Sequence, residues 1–148
     1  MGLGGGSERL AYALPSQTTA LGEHITKGST GIGNTFAQNL TEAMSVVPLR
    51  KNGYFGDKSA HKGARYVRTF ESSNPARTAY EFAAKASKNF ASMTTIPGKG
   101  YIMKMRDGTL ITYRYVSSSR DRSPAVELKV RDLKRVKSQK IHFVPRSK

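Results

Sequence analysis

Tyr101-Ile102-Met103-Lys104-Met105-Arg106-Asp107-Gly108-Thr109-Leu110-Ile111-Thr112-Tyr113-Arg114-Tyr115-Val116 is the stretch that decides the fold. Two runs, Tyr101 to Arg106 and Thr109 to Val116, are rich in aromatic, methionine and branched side chains and alternate with polar ones, as strands with one buried face do. Asp107-Gly108 between them is a hairpin signal, since glycine tolerates the positive φ that tight turns need. A plain two-residue loop would place Met103 and Met105 on the face of Thr112 and Arg114, away from Ile111, Tyr113 and Tyr115. A glycine bulge at Gly108 shifts the pairing by one residue and sets the methionines opposite Ile111 and Tyr113, so a bulge is predicted.

Two further β runs follow, Ala125 to Val130 and Gln139 to Val144, and the short connections favour an antiparallel meander. Continuing the register, one face collects Tyr101, Met103, Met105, Ile111, Tyr113, Tyr115, Val126, Leu128, Val130, Ile141 and Phe143, the expected core. The other collects Lys104, Thr112, Arg114, Glu127, Lys129, Lys140 and His142, a cationic surface with one carboxylate and one imidazole. Upstream, Asn74-Pro75 supplies an N-cap side chain followed by a residue preset for the first helical position. Ala79, Phe82, Ala83, Ala86 and Phe90 then recur at helical spacing, predicting a helix to about Asn89 that covers the core face. A strand is expected from Arg65 to Phe70. The fold class read from these elements is α+β: an N-terminal helical or loop segment, then a helix packed on a twisted antiparallel β-sheet.

Charge divides the chain. Its 148 residues carry 25 Lys and Arg against 10 Asp and Glu, a formal net charge of +15. Residues 1–47 hold only Arg9 and Lys27 against Glu8, Glu23 and Glu42, so the excess lies entirely in the remainder. Like charge at this density destabilises a compact body unless a polyanion offsets it, and nucleic acid is the usual one. Seven Tyr and six Phe supply a modest core, so the chain is more than a basic tail. The Gly-, Ser- and Thr-rich stretches of the first part suggest a leader or linker over residues 1–50, partly disordered or loosely docked, with a short helix from Thr35 to Met44. Residues 51–148 form the basic body. No cysteine and three histidines leave no disulfide framework and little for a metal cage, and no metal or cofactor is expected. No apolar run approaches the roughly 20 residues of a transmembrane helix, and the N-terminus lacks the basic and apolar regions of a signal peptide.

The polar sheet face carries the groups that RNA cleavage without a metal requires. The RNA 2′-hydroxyl attacks the adjacent phosphorus when one group takes its proton, another protonates the departing 5′-oxygen, and a cation offsets the phosphorane charge. His142 is the candidate for one proton transfer, Glu127 or His61 for the other, Arg114 and Lys140 for the phosphorane, with Thr112 beside them. A purely structural role, Glu127 pairing with Lys129, Lys140 or Arg114, uses the same residues. Lys62, Arg65, Lys104, Ser119, Arg120, Arg122, Ser123 and Lys129 are candidate phosphate contacts, and the basic turn from Arg131 to Lys137 is a further nonspecific one. His24 is read as incidental. Gly53-Tyr54-Phe55-Gly56-Asp57-Lys58-Ser59 has the wrong spacing for a P-loop, and no acidic cluster suits Mg²⁺.

Asp107 to Ser119, Ser123 to Leu128 and Gln139 to Phe143, with the upstream segments Arg65 to Arg68 and Asn74 to Phe82, resemble the C-terminal nuclease domains of bacterial polymorphic toxins, the contact-dependent inhibition, Rhs and LXG effectors. The resemblance spans about residues 53–144. It implies a metal-independent ribonuclease of the barnase/EndoU/colicin/RelE type, acting on tRNA or rRNA in the cytoplasm of a competitor cell. Delivery within a larger effector, with the leader as a remnant of a delivery segment, and neutralisation by a dedicated acidic immunity protein are also implied, as is the option of a host factor in the target cell. No membrane partner is expected. Thr112, Arg114, Ser123, Glu127, Lys140 and His142 lie in the matching segments, and family members differ in which residues they use. A non-catalytic nucleic-acid-binding module and a DNase are the alternatives.

Overall fold

A computed structural model describes residues 33–58, 64–116 and 122–146. It has two helices, α1 (Phe36–Met44) and α2 (Pro75–Ala86). Seven strands form one sheet: β1 (Asp57–Lys58), β2 (Val67–Ser72), β3 (Ser92–Ile96), β4 (Gly100–Lys104), β5 (Leu110–Arg114), β6 (Ala125–Lys129) and β7 (Gln139–Pro145), in the spatial order β1-β2-β7-β6-β5-β4-β3. The class is α+β, with α2 packed against the sheet.

The meander from β4 to β7 is antiparallel as the sequence indicates, and β3 extends it at one edge. The sheet as a whole is mixed, because β2 pairs parallel with β7. The expected wholly antiparallel sheet is corrected on this point. A parallel neighbour cannot be joined by a hairpin and needs a crossover, which here runs through α2 and the whole meander.

The hairpin at Gly108 contains the predicted bulge. Gly108 has φ 91°, its N–H donates to the Met105 carbonyl (2.9 Å), and the Met105 N–H donates to the Thr109 carbonyl (2.8 Å). Asp107 pins the turn by accepting from the Thr109 N–H (2.9 Å) and hydroxyl (3.1 Å). The methionines reach the core face, but two residues along from the expected pairing: Met103 lies opposite Ile111, and Tyr101 opposite Tyr113. The loop closes after three residues, which sets Met105 against Thr109.

Asn74 caps α2 by accepting from the Arg77 N–H (3.2 Å), with Pro75 in the first turn. The helix ends at Ala86, three residues before the expected Asn89. Ser87 turns back, its hydroxyl donating to the Ala83 carbonyl (2.7 Å), and Asn89 adopts φ 55°. Phe90 remains fully buried beyond the helix end. Ala79, Phe82, Ala83 and Ala86 face the core, where Phe82 meets Phe55 edge-on (centroids 5.0 Å) and Phe143 (6.0 Å). Burying a side chain such as Phe82 contributes about 2–3 kcal/mol.

Loose docking does not describe residues 36–47. Phe36, Leu40, Ala43 and Val47 belong to the same core as the sheet, and α1 packs on α2. Thr35 and Gln38 form a reciprocal capping box at its start. The buried Asn39 amide donates to the carbonyls of Ala86 and Lys88 (both 2.9 Å), just past the last turn of α2. It therefore satisfies carbonyls that a helix end leaves without partners. Among the described residues, no helix is long and apolar enough to cross a membrane.

Candidate nucleic-acid interface

The face of the sheet away from α2 is built by strict alternation. Each residue of β4 to β7 that faces the core is flanked by two facing away, so burial of Met103, Ile111, Tyr113, Val126, Leu128, Ile141 and Phe143 fixes the other set. Cross-strand pairing arranges that set in rows. One row runs Thr112, Glu127, Lys140 and Val67; the next runs Arg114, Ala125, His142, Thr69 and Asp57.

Glu127 is at the centre. Thr112 and Lys140 are its direct neighbours on β5 and β7, and Arg114 and His142 stand on its diagonals, positions roughly 7–8 Å apart in an antiparallel pair. The Phe143 N–H donates to the Pro124 carbonyl (2.9 Å), which makes 125/142 and 127/140 the closely spaced pairs of the β6–β7 ladder. Lys140 thus faces Glu127 at the shortest cross-strand spacing. Yet the ion pairs among the described residues are Arg50–Asp57, Arg77–Glu81 and Lys88–Glu42, and Glu127 is in none of them. Ala125, the smallest side chain in its row, separates Arg114 from His142.

His142 is half-buried, and its Nδ1 lies 3.0 Å from Ser123 Oγ. That contact restrains the ring and couples its tautomer to the hydroxyl. If Ser123 donates to Nδ1, the neutral ring carries its proton on Nε2; if Nδ1–H donates to Ser123, Nε2 is basic. Ser123 is itself buried, at 6 % exposure, and Thr112 at 8 %, so Thr112 forms the floor of its row.

The structure therefore brings together Thr112, Arg114, Ser123, Glu127, Lys140 and His142. Lys104 and Lys129 share their face one row further on, either side of Leu110, and are exposed. Arg122 is exposed with φ 55°. Arg65 is not with them: it lines a separate cavity beside β1 and β2, with Asn52, Tyr54, Lys58, Arg68 and Lys137. His24, His61, Lys62, Ser119 and Arg120 lie outside the described residues.

Thr69 and Asp57, which continue the His142 row, were not singled out from the sequence; their place depends on the parallel β2–β7 register, which has no local signal. Among the described residues, no group of three or more His, Cys, Asp or Glu is placed to hold a metal ion. The chain matches no family model, no curated protein and no solved structure.

Proposed function

We propose that this chain is a metal-independent endoribonuclease, the toxin domain of a larger effector, which cleaves tRNA or rRNA by attack of the 2′-hydroxyl. The supporting observation is the arrangement around Glu127: a carboxylate in no ion pair among the described residues, flanked by Thr112 and Lys140 and diagonal to both Arg114 and His142. A carboxylate with only a structural role on so basic a face would be expected to close on the lysine opposite it.

In this reading the Glu127 carboxylate takes the 2′-hydroxyl proton as the 2′-oxygen bonds to phosphorus. The bond from phosphorus to the 5′-oxygen breaks, and His142 gives that oxygen a proton. The products are a 2′,3′-cyclic phosphate and a 5′-hydroxyl. Arg114 and Lys140 offset charge on the non-bridging oxygens, and Ser123 positions the imidazole. Lys104, Lys129 and Arg122 hold neighbouring phosphates. His61 is the alternative to Glu127 for the proton transfer that His142 does not make. An acidic immunity protein would neutralise the toxin by covering this face.

Glu127→Gln and His142→Ala test the assignment. Each should lower RNA cleavage about 100-fold or more, the size of a general acid–base contribution, and abolish toxicity while leaving RNA affinity within a few-fold. If Glu127→Gln, His142→Ala and His61→Ala each leave cleavage and toxicity intact, the catalytic assignment is wrong, and retained binding without any cleavage by the wild type would make the chain a binding module.

A further inference from the structure

The cavity that contains Arg65 lies on the other side of the sheet from the His142 row. Its volume is about 370 Å³, and four of the six residues lining it, Lys58, Arg65, Arg68 and Lys137, are cations. Arg68 is 5 % exposed and stands on the core-facing side of β2. Its Nε and Nη2 donate to the Gly56 carbonyl (3.2 and 3.1 Å) and its Nη1 to the Arg65 carbonyl (3.3 Å), while its guanidinium carbon lies 4.1 Å from the centre of the Tyr54 ring.

Three of its five N–H groups are thereby used, and two have no partner among the described residues. Among the described residues no carboxylate is paired with it: the nearby acid, Asp57, faces the opposite side of the sheet and is held by Arg50 at 2.8 Å. A buried guanidinium whose partners among the described residues are all neutral, ringed by three more cations, carries a desolvation and repulsion cost that an oxyanion would offset. The surrounding frame is rigid. Gln139, fully buried, accepts from the Phe55 N–H (2.8 Å) and donates to the carbonyls of Gly53 (3.1 Å) and Lys137 (2.7 Å), tying both walls of the cavity to β7.

We infer that this cavity is a second phosphate-binding site, taking a backbone phosphate of the same RNA strand that lies on the opposite face of the sheet. The geometry favours one strand because the separating edge is short. β1 is two residues long, and Arg68 is flanked on β2 by Val67 and Thr69, which face the His142 side. From β7 to β1 is two strand spacings, about 10 Å, a span that a few nucleotides of single-stranded RNA cover. The RNA source rests on the proposed function; the phosphate site rests on the cavity alone.

The test is equilibrium binding of a short fluorescent single-stranded RNA, 2′-O-methylated so that it cannot be cleaved, to the full chain and to a Lys58→Ala/Lys137→Ala variant over a range of KCl. Both side chains are exposed and make no ion pair among the described residues, so the variant should fold, as its thermal midpoint will show. Loss of one phosphate contact should weaken binding about tenfold and make the slope of log affinity against log salt shallower by about 0.7. Titration with inorganic phosphate should shift the amide resonances of Asn52, Tyr54 and Arg68.

An unchanged affinity and salt slope would overturn the RNA assignment, whether or not the wild type cleaves RNA. Phosphate shifts with an unchanged RNA slope would leave a small-anion site, and no shifts would overturn the site itself. If the variant instead lost affinity for polyglutamate and kept its RNA slope, the cavity would take a protein carboxylate.

Discussion

Asn39→Ala should destabilise the fold by about 3 kcal/mol. The Asn39 amide nitrogen donates to the carbonyls of Ala86 and Lys88, and its oxygen accepts from the Asn34 amide (2.9 Å); the residue is 4 % exposed. Removing it deletes three hydrogen bonds worth about 1 kcal/mol each, and the two carbonyls can regain partners only if water reaches the junction of α1 and α2. For a domain of this size the loss corresponds to a thermal midpoint lower by roughly 10 °C. Chemical denaturation with urea, followed by circular dichroism, measures it directly. Thr35→Ala, which breaks only the exposed capping box, should cost about 1 kcal/mol and serves as the comparison. A loss below 1 kcal/mol for Asn39→Ala would mean that α1 is not fastened to α2 through this residue, and that the segment before Val47 contributes little to the folded body.

Gly100→Ala should prevent β4 and β5 from pairing, since a Cβ there would run into the Tyr113 carbonyl and lie 2.9 Å from Arg114 Cα; loss of near-ultraviolet dichroism is the expected result, and a native spectrum would contradict it. Alkaline titration should lower stability. Burial, helped by Glu81 and Tyr101, pushes the Tyr80 phenol above its ordinary value of 10.0, and burial with Tyr101 does the same for Tyr115. A group whose pKa is raised by folding stabilises fully below its unfolded value, so stability should hold to about pH 10 and fall beyond it. Tyr80→Phe/Tyr115→Phe should flatten that fall. Ser123→Ala should lower kcat for RNA cleavage about tenfold and displace the limb of the pH profile that belongs to His142, with KM little changed; an unmoved pH profile would reduce Ser123 to a packing role.

Local signals made some elements legible and left others hidden. The β4–β5 hairpin could be read to its bulge because the alternation on either side of Gly108 only reconciles through one extra residue. The Asn74-Pro75 start of α2 and its apolar stripe were equally plain, and the polar face followed once the register was set. The parallel pairing of β2 with β7 joins segments about 70 residues apart and leaves no mark in either strand. β3 was missed because an edge strand buries little: Ser92, Thr94 and Thr95 are exposed, and Met93 alone packs against the core, Ile96 being half-buried on the opposite face.

α1 was located, but its glycine- and threonine-rich surroundings masked how firmly it docks. Phe36, Leu40, Ala43 and Val47 have the spacing of a buried helical stripe. At the site, alternation alone placed Thr112, Arg114, Glu127, Lys140 and His142 on one face, whereas the absence of an ion pair between Glu127 and any described residue needed three dimensions. Arg68 carried a signal that went unused: in the alternation of β2 it stands beside Phe70 on the core face, where a cation requires special partners.

Incubation of the purified chain with total cellular RNA in EDTA, with the ends of the products mapped, tests the proposed chemistry most directly. The wild type should produce discrete fragments that end in 2′,3′-cyclic phosphate and begin with a 5′-hydroxyl, and Glu127→Gln should not. RNA that stays intact in EDTA and is cut only after Mg²⁺ is added, or fragments ending in a 3′-hydroxyl, would contradict it.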